Sequence, residues 1–350
     1  MDIDDFLKCN KLNISKDKIQ NIKKNKIGIL ITNLGSPTKP TYWSIYKYLS
    51  KFLGDTRVVK LNRFIWLPVL HSYVLPFYVG ASLLKYKKIW TNEGSPLSVN
   101  TYKQCLALKT RLYEKYNDKI TISYGLRYGG QTIDEGLNNL KEKDINKLLV
   151  IPLYPQSAEC TVASALDGLS DSLKSWNNIP ELRFLSGYCF NDMYIYTMTE
   201  SILNFWKNHG KCNKLIISYH SLPTKSVQNG DMYPFYCIES TQKLVNKLEL
   251  KKNEYIVAFQ SNLEGQEWLK PFLEDVLKQL SSTNKDEIID IICPSFSSDC
   301  LETLEEVEIN YKTMFQQHGG GKLRYINCLN YSKMGIDLLM NIIEQNIVGW

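Results

Sequence analysis

The chain has 350 residues, 44% hydrophobic and 22% charged, which are ordinary globular proportions and enough for two domains of roughly 150–175 residues, each with its own core. Its formal charge of +6 is the difference between 42 basic and 36 acidic residues, spread along the chain apart from a lysine-rich stretch at 16–26. That balance argues against a nucleic-acid footprint and fits attraction to an anionic ligand or a membrane surface.

Residues 1–26 contain no apolar run of signal-peptide length and no arginine, so they read as a frayed or helical extension and not as a targeting segment. Ile27–Asn33 is the first expected strand. Ile65–Leu84 (IWLPVLHSYVLPFYVGASLL) holds twenty residues without Asp, Glu, Lys or Arg, long enough to span a bilayer. Pro68, Pro76, His71, Ser72 and Gly80 favour instead a broken, partly exposed flap that lines a large apolar ligand or rests on a membrane. Further strands are expected at Ile120–Gly125, Lys147–Leu153, Leu182–Leu185, Leu215–Tyr219, Glu254–Gln260, Ile288–Cys293 and Leu323–Ile326. Helical periodicity fills the gaps at Val99–Tyr116, Ile133–Lys143, Met193–Asn208, Glu239–Leu250, Glu267–Gln279, Asp299–Gln317 and Ser332–Gln345. Strands apolar on both faces, alternating with helices, predict an α/β fold with parallel sheets covered on both sides. The pattern restarts near residue 180, so two similar domains in tandem are expected. These are 27–170, with a lip at 63–90, and 171–330, followed by a helix at 331–350 that packs back on the first domain.

In such folds ligands sit beyond the carboxyl ends of the strands. Gly, Pro and polar residues crowd there: Asn33-Leu-Gly-Ser-Pro37, Arg127-Tyr-Gly-Gly130, Tyr154-Pro-Gln156, His220-Ser-Leu-Pro223, Gln260-Ser-Asn262 and the run from Cys293 to Glu302. A stable fold needs no such succession, and together these clusters imply a cleft. Of the four histidines, His209 and His318 adjoin glycine in helix-ending contexts and His71 lies in the flap. His220 alone leaves a buried strand directly into a turn, where a neutral imidazole can bind a divalent metal or accept a proton. A lone histidine in such a place is more often a satisfied core residue. Asp299-Cys-Leu-Glu-Thr-Leu-Glu-Glu306 is an acidic helix start, with Asp299 as cap and Glu302 three residues on in a capping-box-like pattern. Acidic residues favour helix N-termini for electrostatic reasons alone. Yet Glu302 and Glu306 share one stripe, with Asp299 near it, and a strand-end histidine is available. One histidine and one or two glutamates suit a loosely held borderline divalent ion.

From about Ile27 to Asn330 the chain resembles the ferrochelatase family. The resemblance is carried in order by NLGSP at Asn33, YLSKFLGDTRVV at Tyr48, KIWTNEGSPL at Lys88, RYGG at Arg127 and PLYPQ at Pro152. It continues through SYHSLP at Ser218, GDMYPFYC at Gly230, FQSNLEGQEWLKP at Phe259 and CPSFSSDCLETLEE at Cys293. Nine motifs in sequence are highly specific. The resemblance implies two Rossmann-like domains of chelatase type with a porphyrin cleft between them and no nucleotide site. It implies protoporphyrin IX and Fe²⁺ as substrates, protohaem and two protons as products, and no permanently bound cofactor. It assigns His220 and Glu302 as iron ligands and as the pair that handles the pyrrole protons, with Asp299 and Glu306 as relay or supporting groups. Leu34, Arg127 and Tyr128, with Trp66 of the flap and Ser95 of KIWTNEGSPL, become the candidate porphyrin contacts. The flap becomes a lip that grips the macrocycle and touches the membrane peripherally.

Three departures from the family pattern bear on substrate grip. Tyr78-Val-Gly-Ala81 stands where basic residues are usual, with Arg57, Arg63, Lys85, Lys87 and Lys88 as nearby substitutes. Gly130-Gln131 replaces Asn-Pro, and Ser157 replaces an aromatic. Some relatives carry a [2Fe–2S] cluster on a cysteine-bearing C-terminal extension. The nine cysteines here are odd in number, scattered and without a C-x-x-C, so neither an iron–sulfur cluster nor a disulfide framework is expected, and a reducing compartment is. The rival readings are a chelatase for another metal or porphyrin (cobalt, coproporphyrin) and a non-catalytic tetrapyrrole carrier. The expected location is the cytoplasm, peripheral to the membrane, or an organelle if the source is eukaryotic. No glycine-rich nucleotide turn is present.

Overall fold

The computed structural model describes residues 3–11, 25–261, 266–283 and 287–350. The lysine-rich segment at 16–24, most of the 1–26 extension, and residues 262–265 of the FQSNLEGQEWLKP motif lie outside them. Two four-stranded sheets form the frame. The first contains β1 (Ile27–Asn33), β2 (Ile120–Leu126), β3 (Lys147–Pro152) and β4 (Glu181–Phe184) in the order β2-β1-β3-β4. The second contains β5 (Lys214–His220), β6 (Tyr255–Gln260), β7 (Ile288–Ile292) and β8 (Lys322–Tyr325) in the order β6-β5-β7-β8. Every pairing is parallel, and the two sheets repeat one strand order. All eight expected strands form.

The alternation along each strand explains why. Ile29, Ile31, Leu149, Ile151, Leu215 and Ile217 enter the large core that joins both sheets. Leu30, Leu148 and Val150 point the other way, into a separate core of the first domain, and Ile216 enters one in the second. Both faces of each sheet are covered by helices, so the strands read as continuous apolar runs.

Two boundaries differ from the sequence reading. β4 pairs with β3 through Lys147↔Glu181 to Val150↔Phe184; it belongs to the first sheet, and the divide falls after Phe184 and not at 170. β4 is a short edge strand with Glu181 exposed, so its own pattern says little about its partner. The helix expected from Glu267 begins at Leu273. Residues before it stay extended because Leu269 N–H donates to Leu222 C=O, Pro271 C=O accepts from Phe259 N–H, and Trp268 bridges Pro223. At the other end, Trp350 Nε1 donates to Glu181 Oε1 (2.6 Å), and the Arg183 guanidinium lies 4.2 Å from the Trp350 ring centroid. The last helix, Lys333–Asn346, is thereby tied to the first domain.

The lip is continuous, not broken. Arg63–Val69 is α-helical, Leu70–Val74 is a π-helical turn, and Leu75–Ile89 is α-helical again. At the wide turn Leu75 N–H reaches back five residues to Leu70 C=O. Pro76 therefore falls in the first turn of the following α segment, where its missing N–H costs least. Among the described residues, Arg63–Ile89 is the one helix long and apolar enough to cross a membrane by length and composition. One face of it packs on the protein: Leu70, Leu75, Val79, Tyr86 and Ile89 are buried with Ile45 and Tyr48 of the helix Tyr42–Gly54. The other face is bare, with Phe64 92% exposed and Phe77 and Ile65 each 68%.

The second domain is pinned by a buried ion pair. Asp290 of β7 is fully buried and accepts from Arg324 Nε (2.6 Å), Arg324 Nη2 (2.8 Å) and Trp206 Nε1 (2.7 Å). The remaining guanidinium N–H groups donate to the carbonyls of His209 and Gly210. Asp290→Ala strands a buried cation, and is expected to lower stability by about 3–5 kcal/mol. Urea unfolding should show a lower midpoint with little change in slope; a loss below about 1 kcal/mol would show the pair to be dispensable.

Candidate active site

His220 is the last residue of β5 and is half-buried. Its Nδ1 lies 2.7 Å from Ser221 C=O. A carbonyl can only accept, so Nδ1 carries a proton and Nε2 is the nitrogen that bears the lone pair of the neutral ring. Phe296 stands tilted against the imidazole at 6.3 Å between centroids. The other histidines serve elsewhere. His209 and His318 bond back to the carbonyls of Phe205 and Met314 at helix ends, and His71 Nδ1 meets Tyr46 Oη at 2.8 Å.

The acidic segment forms a π-helix from Leu301 to Tyr311. Its cap is not the Asp299/Glu302 box expected from the sequence. Cys300 is the N-cap residue, and its N–H donates to Thr303 Oγ1 (3.0 Å). Asp299 is buried among donors instead. It accepts from Tyr325 Oη (2.6 Å), Asn330 Nδ2 (2.6 Å), Asn327 Nδ2 (3.2 Å), Thr303 Oγ1 (3.1 Å) and Cys328 N–H (3.3 Å). A carboxylate so engaged anchors the loop before the helix. Among the described residues it makes no hydrogen bond to His220, Glu302 or Glu306.

Glu306 makes none to His220 or Glu302 either, and is held by other donors. Its Oε1 accepts from Ser261 N–H (2.9 Å) and Tyr311 Oη (3.0 Å), and its Oε2 from Ser261 Oγ (2.5 Å). Burial pushes the Glu306 carboxyl above the ordinary carboxylate range. Glu302 pushes the same way, while the Ser261 and Tyr311 hydrogen bonds and the His220 imidazole act against it. His220, Glu302 and Glu306 thus share one electrostatic neighbourhood. Burial raises Tyr48 and Tyr86, two buried tyrosines from the helix Tyr42–Gly54 and the lip, and the Glu302 charge pushes both the same way.

Gln260 and Ser261 complete the site, and the sequence reading gave them no role. Gln260 pairs in register with His220 and is fully buried. It donates from Nε2 to Glu302 C=O (2.9 Å) and accepts at Oε1 from Ser218 Oγ (2.7 Å) and Cys293 Sγ (3.3 Å). One side chain thereby ties three strand ends to the first turn of the π-helix. Ser261 adopts φ +64°, an uncommon non-glycine conformation that aims both its donors at Glu306. The signal was present: both lie in a polar Gln-Ser step at a strand end.

The five expected ligand contacts divide. Leu34 and Trp66 are half-buried on the lip cluster, beside Leu301, Leu304 and Ile309 of the π-helix. Tyr128 and Ser95 are buried, so they do not offer a surface to a ligand. Tyr128 Oη donates to Asp55 (2.6 Å), and Arg127 donates to Asp55 (2.8 Å) and Ser164 Oγ (2.8 Å). These two residues brace the segment leading into the lip. Of the basic substitutes near Tyr78, Arg57 is held by Asp167 and Glu159, Arg63 by the carbonyls of Gly54 and Val59, and Lys88 by Glu305. Among the described residues, Lys85 and Lys87 are exposed without an ion pair.

An imidazole with a free Nε2 and a nearby carboxylate are groups that can meet a divalent ion and accept protons. Among the described residues no three His, Cys, Asp or Glu side chains are grouped to hold a metal. All nine cysteines are free thiols.

The Ferrochelatase family model matches residues 26–347. A ferrochelatase of Pseudoalteromonas atlantica is 38% identical over 336 residues, covering 96% of this chain and 93% of the relative. One of Wigglesworthia glossinidia brevipalpis is 39% identical over 325 residues, covering 93% and 99%. Among solved structures, SirB from Bacillus subtilis with Fe³⁺ superposes with a TM-score of 0.53 at 11% identity, covering 92% of this chain and 96% of that one. The sirohydrochlorin chelatase SirB from Bacillus subtilis subspecies spizizenii, in complex with cobalt, gives 0.51 at 11% identity, covering 91% and 94%. The structural likeness establishes the chelatase fold.

Proposed function

The chain belongs to the ferrochelatase family and is a metal chelatase of haem biosynthesis, and from that premise we propose that it inserts Fe²⁺ into protoporphyrin IX with His220, Glu302 and Glu306 as the working groups. Two pyrrole N–H bonds must break as the metal–nitrogen bonds form, and the two protons need acceptors. His220 Nε2 takes one and a carboxylate of the π-helix takes the other; Glu302 and His220 touch the incoming ion. The metal is substrate, and the reaction calls for no resident cofactor. The observation that carries this assignment is the hydrogen bond from His220 Nδ1 to Ser221 C=O, which fixes the tautomer and frees Nε2. Anaerobic incubation with protoporphyrin IX and Fe²⁺, followed at the haem absorption band, tests it. Faster turnover with cobalt or coproporphyrin would reassign the substrates, and porphyrin binding without any metal insertion would mark a carrier.

The lip is the surface on which the porphyrin arrives. Its bare face, with Phe64, Ile65, Tyr73 and Phe77, lies against a membrane on the cytoplasmic side, while the unpaired Lys85 and Lys87 meet lipid headgroups or substrate carboxylates. Phe64→Ser with Phe77→Ser should weaken partition onto vesicles by roughly a hundredfold or more, since each buried Phe contributes about 1.5–3 kcal/mol. Unchanged co-sedimentation of the double variant would remove the lip from membrane contact.

A further inference from the structure

The π-helix Leu301–Tyr311 is eleven residues long, far beyond the single turn such widenings usually occupy. Something must hold it against relaxing to the tighter α-helix. Two side-chain hydrogen bonds span five residues: Asn310 Nδ2 donates to Glu305 Oε1 (2.9 Å) and Tyr311 Oη to Glu306 Oε1 (3.0 Å). Residues five apart are neighbours one turn on in a π-helix, but about 140° apart around an α-helix. These pairs are available only in the wide register.

Lys88 grips the first pair from outside. It sits in the last turn of the lip helix, 217 positions away, with Nζ 2.8 Å from Glu305 Oε1 and 3.3 Å from Asn310 Oδ1. The Glu305 side chain is 1% exposed, and its Oε2 is buried with no hydrogen-bond partner. Among the described residues, Lys88 is the one Lys or Arg in an ion pair with Glu302, Glu305 or Glu306. A buried carboxylate with half its acceptors unused is poorly justified as a stabilising feature. Its location at the five-residue step, next to Glu306, gives it another use.

We propose that Lys88, Glu305 and Asn310 are positioning residues that lock the π register from the lip, and so hold Glu306 on Ser261 and toward His220. Relaxation of this turn to α would part Glu305 from Asn310 and Glu306 from Tyr311 together. The lip helix and the carboxylate helix are then one mechanical unit. The inference rests on the carboxylates of this helix being catalytic.

The test is steady-state kinetics of Lys88→Met, Lys88→Arg and the double variant Lys88→Met/Glu305→Gln, at a temperature where each is folded, beside Glu306→Gln. Lys88→Met should lower kcat about tenfold with the porphyrin KM within about twofold, and Lys88→Arg should recover most of the loss. The double variant removes the stranded charge, so its Tm should recover while its kcat stays low. Amide exchange across 301–311 should quicken in both Met variants. A lowered Tm with kcat unchanged would make the triad structural only, and a raised KM with kcat intact would make Lys88 a substrate contact; either overturns the proposal. Full activity in Glu306→Gln would instead remove the site assignment beneath it.

Discussion

His220→Ala should leave porphyrin binding intact and lower the rate of metal insertion by roughly 10²–10⁴-fold, the range attached to a positioned proton acceptor. The expectation follows from one lone pair. Nδ1 is committed to the Ser221 carbonyl, so Nε2 is the nitrogen that can meet a metal or a pyrrole proton, and alanine supplies no substitute. Measuring kcat and KM separately gives the reading: a loss in kcat with KM steady places the imidazole in the transition state, and a loss confined to KM places it in binding. His209→Ala and His318→Ala are the controls. Both side chains bond to helix carbonyls remote from the cleft, and both variants should insert metal at the normal rate. Retention of normal kcat in His220→Ala would move the proton chemistry entirely to the carboxylates.

Glu306→Gln should cut kcat by roughly 10²-fold and, at neutral pH, make the protein more stable. Burial raises the Glu306 carboxyl above its ordinary value of 4.5, so the folded state favours the protonated form more than the unfolded chain does. The sign follows from linkage: stability drawn from that preference is fully present below 4.5 and is lost as pH rises through the folded value. Wherever that half-buried carboxyl ionises, its charge is therefore a cost, which glutamine removes. Thermal unfolding should show a gain of roughly 1–2 °C at pH 7 and little at pH 4. The wild-type rate should rise with pH through a window above the ordinary carboxylate range, and that limb should vanish in the variant. A variant with full activity and an unchanged acid limb would pass the acceptor role to Glu302.

Much of the architecture was decided by local sequence. Strand positions, parallel pairing and helical cover follow from side-chain alternation and apolar runs, which act over a few residues. The cleft followed from the Gly, Pro and polar steps at successive strand ends, and His220 and Glu302 from their places in that series. Spacing makes Glu306 a stripe partner of Glu302, and the structure gives it the denser set of contacts. What the tertiary structure alone decided involves residues far apart in the chain. β4 joins the first sheet because an edge strand takes its partner from packing, not from its own weak pattern. Asp299, an apparent cap, is drawn into donors from the loop after β8, whose approach no helix-start rule encodes. Tyr128 lies buried in the core cluster of the lip, because the lip's packing sets which strand-end residues see the cleft. The π register is likewise invisible to a heptad or stripe reading. It depends on Ser261, Asn310, Tyr311 and a lysine 217 positions away meeting the same turn, and contacts of that range are fixed only when the two domains close on each other.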